Sequence, residues 1–262
     1  MNPFKHALLS GQRLLGTWMM TGSDTVAEAM ATVGFDFLVL DQEHVAVDTL
    51  DAIRIDRAIR SISATTPLYR LAGNDLVLIK RALDGGAMSL MIPFINTVEE
   101  AQQAVAAAFY PPYGKRGFAA MHRASGWGGN AQFVQEARDE LCLILQLETP
   151  EAIANIDAIA RVDGITGFFI GPGDLSSAMG QPGNPSHPEV QRMITRGLDA
   201  CQRLGKPCGI VGGNPDLVNK YQQMGFNFVA LASDMSFMLA RAKEQLAAIR
   251  GENLTVPGGE VY

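Results

Sequence analysis

The sequence predicts an α/β fold, a single-domain (β/α)8 barrel of the TIM type over residues 1–262, on three observations. Short apolar, β-branched runs alternate eight times with longer segments of helical period, which is the pattern of repeated βα units around a parallel sheet. The chain has 262 residues, against roughly 250 for a typical barrel of this kind. Its unusual polar residues fall just after the apolar runs, where the βα loops of a barrel build a pocket.

Taken in order, the first strand is read over Leu14–Met20, and a helix over Thr25–Val33 follows the capping residues Ser23 and Asp24. Gly34 ends that helix, Phe35–Leu40 is the second strand, and Thr49–Ser61 its helix. Pro67–Leu71 and Ser89–Phe94 are the third and fourth strands, with helices at Leu76–Leu83 and Val98–Ala108. Leu141–Glu148 is the fifth, with a helix at Pro150–Ala160, and Ile165–Gly171 the sixth, with a helix at Glu189–Leu204. Pro207–Gly212 and Phe226–Ala232 complete the set, each with a helix behind it. Two connections are long. Tyr110–Gln132 is expected to form a lid or a subunit contact, and Gly171–Pro188 is rich in Gly and Pro. The tail after Arg250 is expected to be loose or to pack on a neighbour.

Composition excludes several classes. A net charge of −6 does not suit a nucleic-acid partner, which needs a clustered basic surface. No run approaches the roughly 18–20 apolar residues of a membrane span, and the N-terminus lacks a signal-peptide stretch. Cys142, Cys201 and Cys208 are odd in number, lack CxxC spacing and lie beside apolar segments, so buried free thiols in a reducing cytoplasm are expected. None of the six lysines (Lys5, Lys80, Lys115, Lys206, Lys220, Lys243) falls inside a predicted strand, which disfavours Schiff-base catalysis. No G-x-S-x-G elbow, P-loop or G-x-G-x-x-G follows a first strand.

The strand ends carry the candidate site. Trp18 lies late in the first strand; Asp41, Glu43 and His44 follow the second; Arg70 is near the end of the third. Gln146 and Glu148 end the fifth, and Asp174 follows the sixth. Glu148 and Asp174 are the candidate metal ligands, since two carboxylates from adjacent strands can hold a divalent cation and leave positions open for water or a 2-keto acid. Glu148 is equally explained as a favourable charge near the next helix N-terminus. Gly171-Pro172-Gly173-Asp174 is either an anion-binding nest or a plain turn. His44 suits proton transfer near neutral pH, with Asp41 to orient it, though a loop histidine is also explained by solvation alone. Arg70 can bind a carboxylate or a developing enolate oxygen.

The segments GFDFLVLDQEH (Gly34–His44), IKRALDGGA (Ile79–Ala87), YPPYGKRG (Tyr110–Gly117), LQLETPEAIANIDAI (Leu145–Ile159) and GFFIGPGDLSSAMG (Gly167–Gly180) resemble those of the HpcH/HpaI aldolases, class II pyruvate aldolases. The resemblance runs from about Phe4 to the last helix and is strongest to the 2-dehydro-3-deoxyglucarate and 4-hydroxy-2-oxoheptanedioate aldolases. It implies that Glu148 and Asp174 bind Mg, Mn, Co or Zn, with no organic cofactor. The amides of Gly173 and Asp174 would hold the pyruvate carboxylate in a pocket that includes Gly171, Pro172, Val211, Gln146 and Trp18. Arg70 would stabilise the enolate oxygen. His44, assisted by Asp41 and Asp84, would move the proton of the aldol hydroxyl. The implied assembly is a hexamer, a trimer of dimers, with the last helix exchanged and a neighbour contributing to the pocket. The implied reaction is cleavage of a 4-hydroxy-2-keto acid to pyruvate and an aldehyde such as tartronate or succinic semialdehyde.

Departures from the family pattern are Gln42 in place of a glycine, the residues VAVD after His44, and Gly173 where alanine or serine is usual. They leave the aldehyde partner open. A lyase acting on acyl-CoA thioesters and a non-catalytic keto-acid binding protein are the alternative readings. The first would need a basic surface for the nucleotide; the second would predict loss of a catalytic residue.

Overall fold

The structure, a computed structural model, describes residues 1–252, and eight parallel strands close into a barrel in sequence order. The strands are β1 (Leu14–Met19), β2 (Phe37–Asp41), β3 (Thr66–Arg70), β4 (Ser89–Ile92), β5 (Cys142–Leu147), β6 (Gly167–Ile170), β7 (Cys208–Gly212) and β8 (Phe228–Ser233). Around them lie helices α1 (Pro3–Leu9), α2 (Asp24–Ala31), α3 (Thr49–Ile62), α4 (Leu76–Asp84), α5 (Val98–Ala108) and α6 (Phe133–Glu140). The ring is completed by α7 (Pro150–Ile159), α8 (Pro172–Ala178), α9 (Pro188–Arg203), α10 (Pro215–Met224) and α11 (Asp234–Arg250). All eight predicted strand–helix pairs are present.

Alternation along each strand sorts the residues into two cores. Outward-facing Leu38, Leu40, Tyr69, Leu143, Leu145, Phe168 and Ile170 pack under the helices. Inward-facing Leu14, Trp18, Phe37, Val39, Leu68, Ile144, Phe169, Val211 and Phe228 fill the barrel. Their large rings need small partners: a Cβ on Gly16 would lie 2.4 Å from the Phe37 ring, and one on Gly209 the same distance from Phe228. The same alternation carries polar side chains inward one layer higher, because Asp41, Arg70, Gln146 and Glu148 continue the parity of Val39, Leu68 and Ile144.

Three helices were not foreseen. α1 seals the base of the barrel, where Phe4 meets Phe37 at 5.3 Å and Phe228 at 5.7 Å between ring centroids. Its seven residues are too short for a periodic signal. α6 has no buried residue and so no apolar stripe to read, while α8 is hidden in a Gly–Pro stretch that reads as a turn.

Of the two expectations for the long connection at Tyr110–Gln132, a lid or a subunit contact, the first is corrected. It joins a helix end to the start of β5, so it lies at the base of the barrel, opposite the mouth, and cannot be a lid over this chain's own strand ends. Salt bridges tie it down there: Arg116 to Asp84 at 2.7 Å and Arg123 to Asp56 at 2.8 Å. The tail from residue 253 onward lies outside the described residues. Among the described residues, no helix is long and apolar enough to cross a membrane. The three cysteines are free and buried.

Candidate active site

Register places Asp41 of β2 directly beside Arg70 of β3. The carboxylate and guanidinium meet as a fork: Arg70 Nε donates to Asp41 Oδ1 at 2.9 Å and Nη2 to Oδ2 at 2.7 Å, with both residues essentially fully buried. Such a bidentate, charge-assisted pair fixes the plane of the guanidinium. The Arg70 guanidinium also lies 4.2 Å from the centre of the Trp18 ring. The remaining nitrogen, Nη1, lies 3.0 Å from Glu43 Oε2.

Asp41 also shapes the loop after β2. Its Oδ1 accepts from the backbone N–H of Glu43 at 3.0 Å and of His44 at 3.3 Å. The sequence suggested that Asp41 orients the imidazole. In the structure it holds the backbone of His44, and the ring faces another group: His44 Nε2 lies 3.8 Å from Asp174 Oδ2, with the His44 side chain about half exposed (46%) at the mouth. Proton donor or acceptor and carboxylate thus share one opening.

Glu148 sits one residue beyond β5 and is 1% exposed. Gln146 Nε2 donates to its Oε1 at 2.8 Å and the Phe94 N–H to its Oε2 at 3.0 Å. To offer that N–H, the chain leaves β4 early and Phe94 adopts φ 51°, a conformation non-glycine residues rarely take. Gly171 closes on the same carboxylate, since a Cβ there would stand 2.3 Å from Glu148 Oε1. Burial, then the charges of Glu43 and Asp174, push the Glu148 carboxyl up to about 8. Burial likewise raises Glu43.

A buried carboxylate beside two others is a poor place for three anions and a good place for a cation. The donor set fits a hard divalent ion, with Glu148 and Asp174 supplying two oxygens and the remaining positions open to water or substrate oxygens. Among the described residues no group of three or more His, Cys, Asp or Glu side chains is arranged to hold a metal ion.

The segment after β6 turns out to be a helix start rather than a bare turn. Gly171 is the N-cap of α8, Pro172 its first residue, and no side chain caps it. First-turn amides have no intrahelical partner, which leaves the N–H groups of Gly173 and Asp174 available at the mouth. Val211 is buried and faces the barrel interior with Trp18 and Phe169.

Asp84 does not join this group within one chain. It ends α4, at the base, where it pairs with Arg116 and lies 3.9 Å from His122 Nε2. Two participants escape sequence reasoning. Phe94 acts through its backbone, which no side-chain pattern reveals. Glu43 was visible at the strand end but carried no role, because β2 ends at Asp41 and the loop beyond it has no alternation to fix where a side chain goes. A cleft of about 680 Å³ between α7, α9 and α10 is a surface groove lined by Asp157, Arg196 and Arg203 and lies outside the barrel.

Fold and mouth together define a TIM-barrel enzyme equipped for acid–base work beside a cluster of carboxylates. The sequence profile of the HpcH/HpaI aldolase/citrate lyase family matches residues 14–240, and the chain belongs to that family; it is a carbon–carbon lyase of the aldolase kind. It is 48% identical over 237 residues to a 2-dehydro-3,6-dideoxy-6-sulfogluconate aldolase of Pseudomonas putida, covering 90% of this chain and 92% of that one. It is 43% identical over 241 residues to a hydroxypyruvate/pyruvate aldolase of Sagittula stellata, covering 92% and 95%. A solved HpcH/HpaI aldolase/citrate lyase family structure from Burkholderia cenocepacia superposes with a TM-score of 0.93 at 33% identity, covering 95% of this chain and all of that one.

Proposed function

We propose that the protein is a divalent-metal-dependent pyruvate aldolase. It reversibly cleaves a 4-hydroxy-2-keto acid, a sugar-acid derivative, to pyruvate and an aldehyde such as tartronate semialdehyde or succinic semialdehyde. The observation that carries this reading is Glu148, a buried carboxylate cradled by Gly171, held by Gln146 and the Phe94 amide, and raised to about 8 by its surroundings. Glu148 and Asp174 would hold Mg, Mn, Co or Zn. Bound there, the ion supplies Lewis-acid polarisation of the 2-keto group. No organic cofactor enters the reading.

The chain's own residues do the rest. The amides of Gly173 and Asp174 receive the keto-acid carboxylate, with Gly171 and Pro172 beneath them and Trp18 and Val211 as an apolar wall. His44 takes the proton from the 4-hydroxyl as the C3–C4 bond breaks and returns it in condensation. The electron pair of that bond moves onto the pyruvate fragment as its enolate, Arg70 opposes the negative charge that develops on its keto oxygen, and a proton from solvent at C3 then completes pyruvate. Asp41 keeps Arg70 and the His44 loop in place, and Gln146 steadies Glu148. A neighbouring subunit in a hexamer would supply Asp84 to the His44 side, and α11 is the helix exchanged. Buried free cysteines suit a reducing cytoplasm.

Pyruvate release from a panel of 4-hydroxy-2-keto acids, with and without a chelator, tests the reading. Cleavage that stops on metal removal and returns on adding Mg or Mn is expected. Full activity after thorough metal removal overturns it.

A further inference from the structure

The Arg70 guanidinium has two edges with different occupants. Nε and Nη2 are committed to Asp41 in the fork described above. The Nη1 side faces Glu43, whose Oε2 stands 3.0 Å from it. The two occupants are not equivalent. Asp41 is locked in a strand, buried, and accepts from two backbone amides as well. Glu43 lies in the loop beyond β2, its side chain partly open at 11%. Its buried Oε2 makes no aligned hydrogen bond despite the short approach. It also shares its surroundings with the like charges of Asp41, Asp174 and Glu148.

We infer that Glu43 is a positioning residue, a place-holder on Arg70 that an incoming keto acid displaces. In the empty site its carboxylate holds the Nη1 edge toward the mouth; when the keto acid enters, the substrate's oxygen takes over that edge and Glu43 turns outward. The exchange keeps Arg70 oriented at all times and makes substrate binding a competition against an internal carboxylate. This rests on the pyruvate-aldolase reading and adds to it a determinant of keto-acid affinity.

Two variants separate contact from charge. Glu43→Gln keeps the shape and removes the charge. Glu43→Asp keeps the charge and withdraws it by one methylene. Pyruvate binding to the metal-loaded protein is measured by calorimetry, beside KM and kcat for cleavage, on variants whose thermal unfolding matches the parent. A place-holder predicts that both variants bind pyruvate more tightly and lower KM, by about fivefold, the order expected from weakening one charge-assisted competitor. It also predicts that the gain from Glu43→Gln disappears in an Arg70→Lys background, since the effect passes through the guanidinium.

Unchanged or weaker pyruvate binding in both single variants overturns the place-holder while leaving the aldolase reading intact. So does a gain from Glu43→Gln that persists in full with Arg70→Lys, because a general charge effect adds independently. A parent protein that neither binds pyruvate nor cleaves any keto acid overturns the aldolase reading, and the place-holder with it.

Discussion

At the scale of single residues the site is organised around Glu148, and two neighbouring glycines make opposite predictions about it. A Cβ on Gly171 would collide with the Glu148 carboxylate, whereas one on Gly173 meets nothing within 4 Å. Gly171→Ala is therefore expected to lower divalent-metal affinity by an order of magnitude or more (about tenfold at least), since even outer-shell disturbance costs that much. Gly173→Ala is expected to leave it unchanged and to raise stability by about 0.5–1 kcal/mol through helix propensity. Calorimetric Mn titration and thermal unfolding of the two variants check both. The Glu148 carboxyl at about 8 also fixes a pH dependence with a definite sign. Its folded-state value lies above the unfolded carboxylate range, so the folded, metal-free protein binds the extra proton. That stabilisation is fully present below the unfolded value and is lost as pH rises through about 8. Metal must displace the same proton, so affinity should climb about tenfold per pH unit below that value and level off above it. Equal Mn affinity at acidic and alkaline pH would show that the carboxyl is already ionised in the empty site. Alternation made Asp41, Arg70, Gln146 and Glu148 legible in the sequence, because a strand of known phase fixes which side chains enter the barrel. Loop residues have no such phase. That is why Asp41 was expected to hold the imidazole of His44 and instead holds its backbone, and why the Phe94 amide could not be anticipated.

At the scale of elements, what was legible was whatever has a period. Eight strands and the helices that cover them each bury a stripe or a face, and that stripe is written in the residues. α1, α6 and α8 escaped because none is long enough, or buried enough, to show one. The connection at Tyr110–Gln132 was visible as an insertion but not as a tethered one, since its anchors come from α3 and α4, far away in sequence. Asp56 on α3 is fully buried between Arg60 Nε and Arg123 Nη2, each at 2.8 Å. Removing Arg123 strips a buried carboxylate of one of its two cations, so Arg123→Ala is expected to cost about 2–3 kcal/mol, below the range for losing a sole partner. Thermal denaturation would register this as a lowered Tm, and limited proteolysis should then cut between Tyr110 and Gln132 first. Phe4 provides the matching test at the base. Its ring sits against Phe37 and Phe228, and Phe4→Ala should cost about 3–5 kcal/mol as a buried aromatic truncation. A loss below about 1 kcal/mol would mean that α1 covers the barrel without sealing it.

At the scale of the whole molecule, two features of one chain bear on the proposed assembly. α11 buries only Asp234 and Ala247 of its 17 residues and leaves Met238, Leu239, Leu246 and Ile249 exposed, an apolar surface of the kind that marks an interface. Asp84, proposed for proton transfer, lies at the opposite end of its own barrel from His44. Both are accounted for if each mouth is completed by a neighbour. Then His44→Ala and Asp84→Ala damage the same site from different chains, and mixing the two inactive variants under conditions of subunit exchange should restore activity. Random assembly gives each mouth an intact His44 from one chain and an intact Asp84 from the next in about one case in four, so recovery near a quarter of the parent rate is expected. Replacing Met238 and Leu239 with lysine should abolish that recovery and shift light scattering toward smaller species, because a charged helix cannot be buried against a neighbour. If the mixture stays inactive while the parent scatters as a single chain, each barrel works alone, and Asp84 serves only to anchor Arg116.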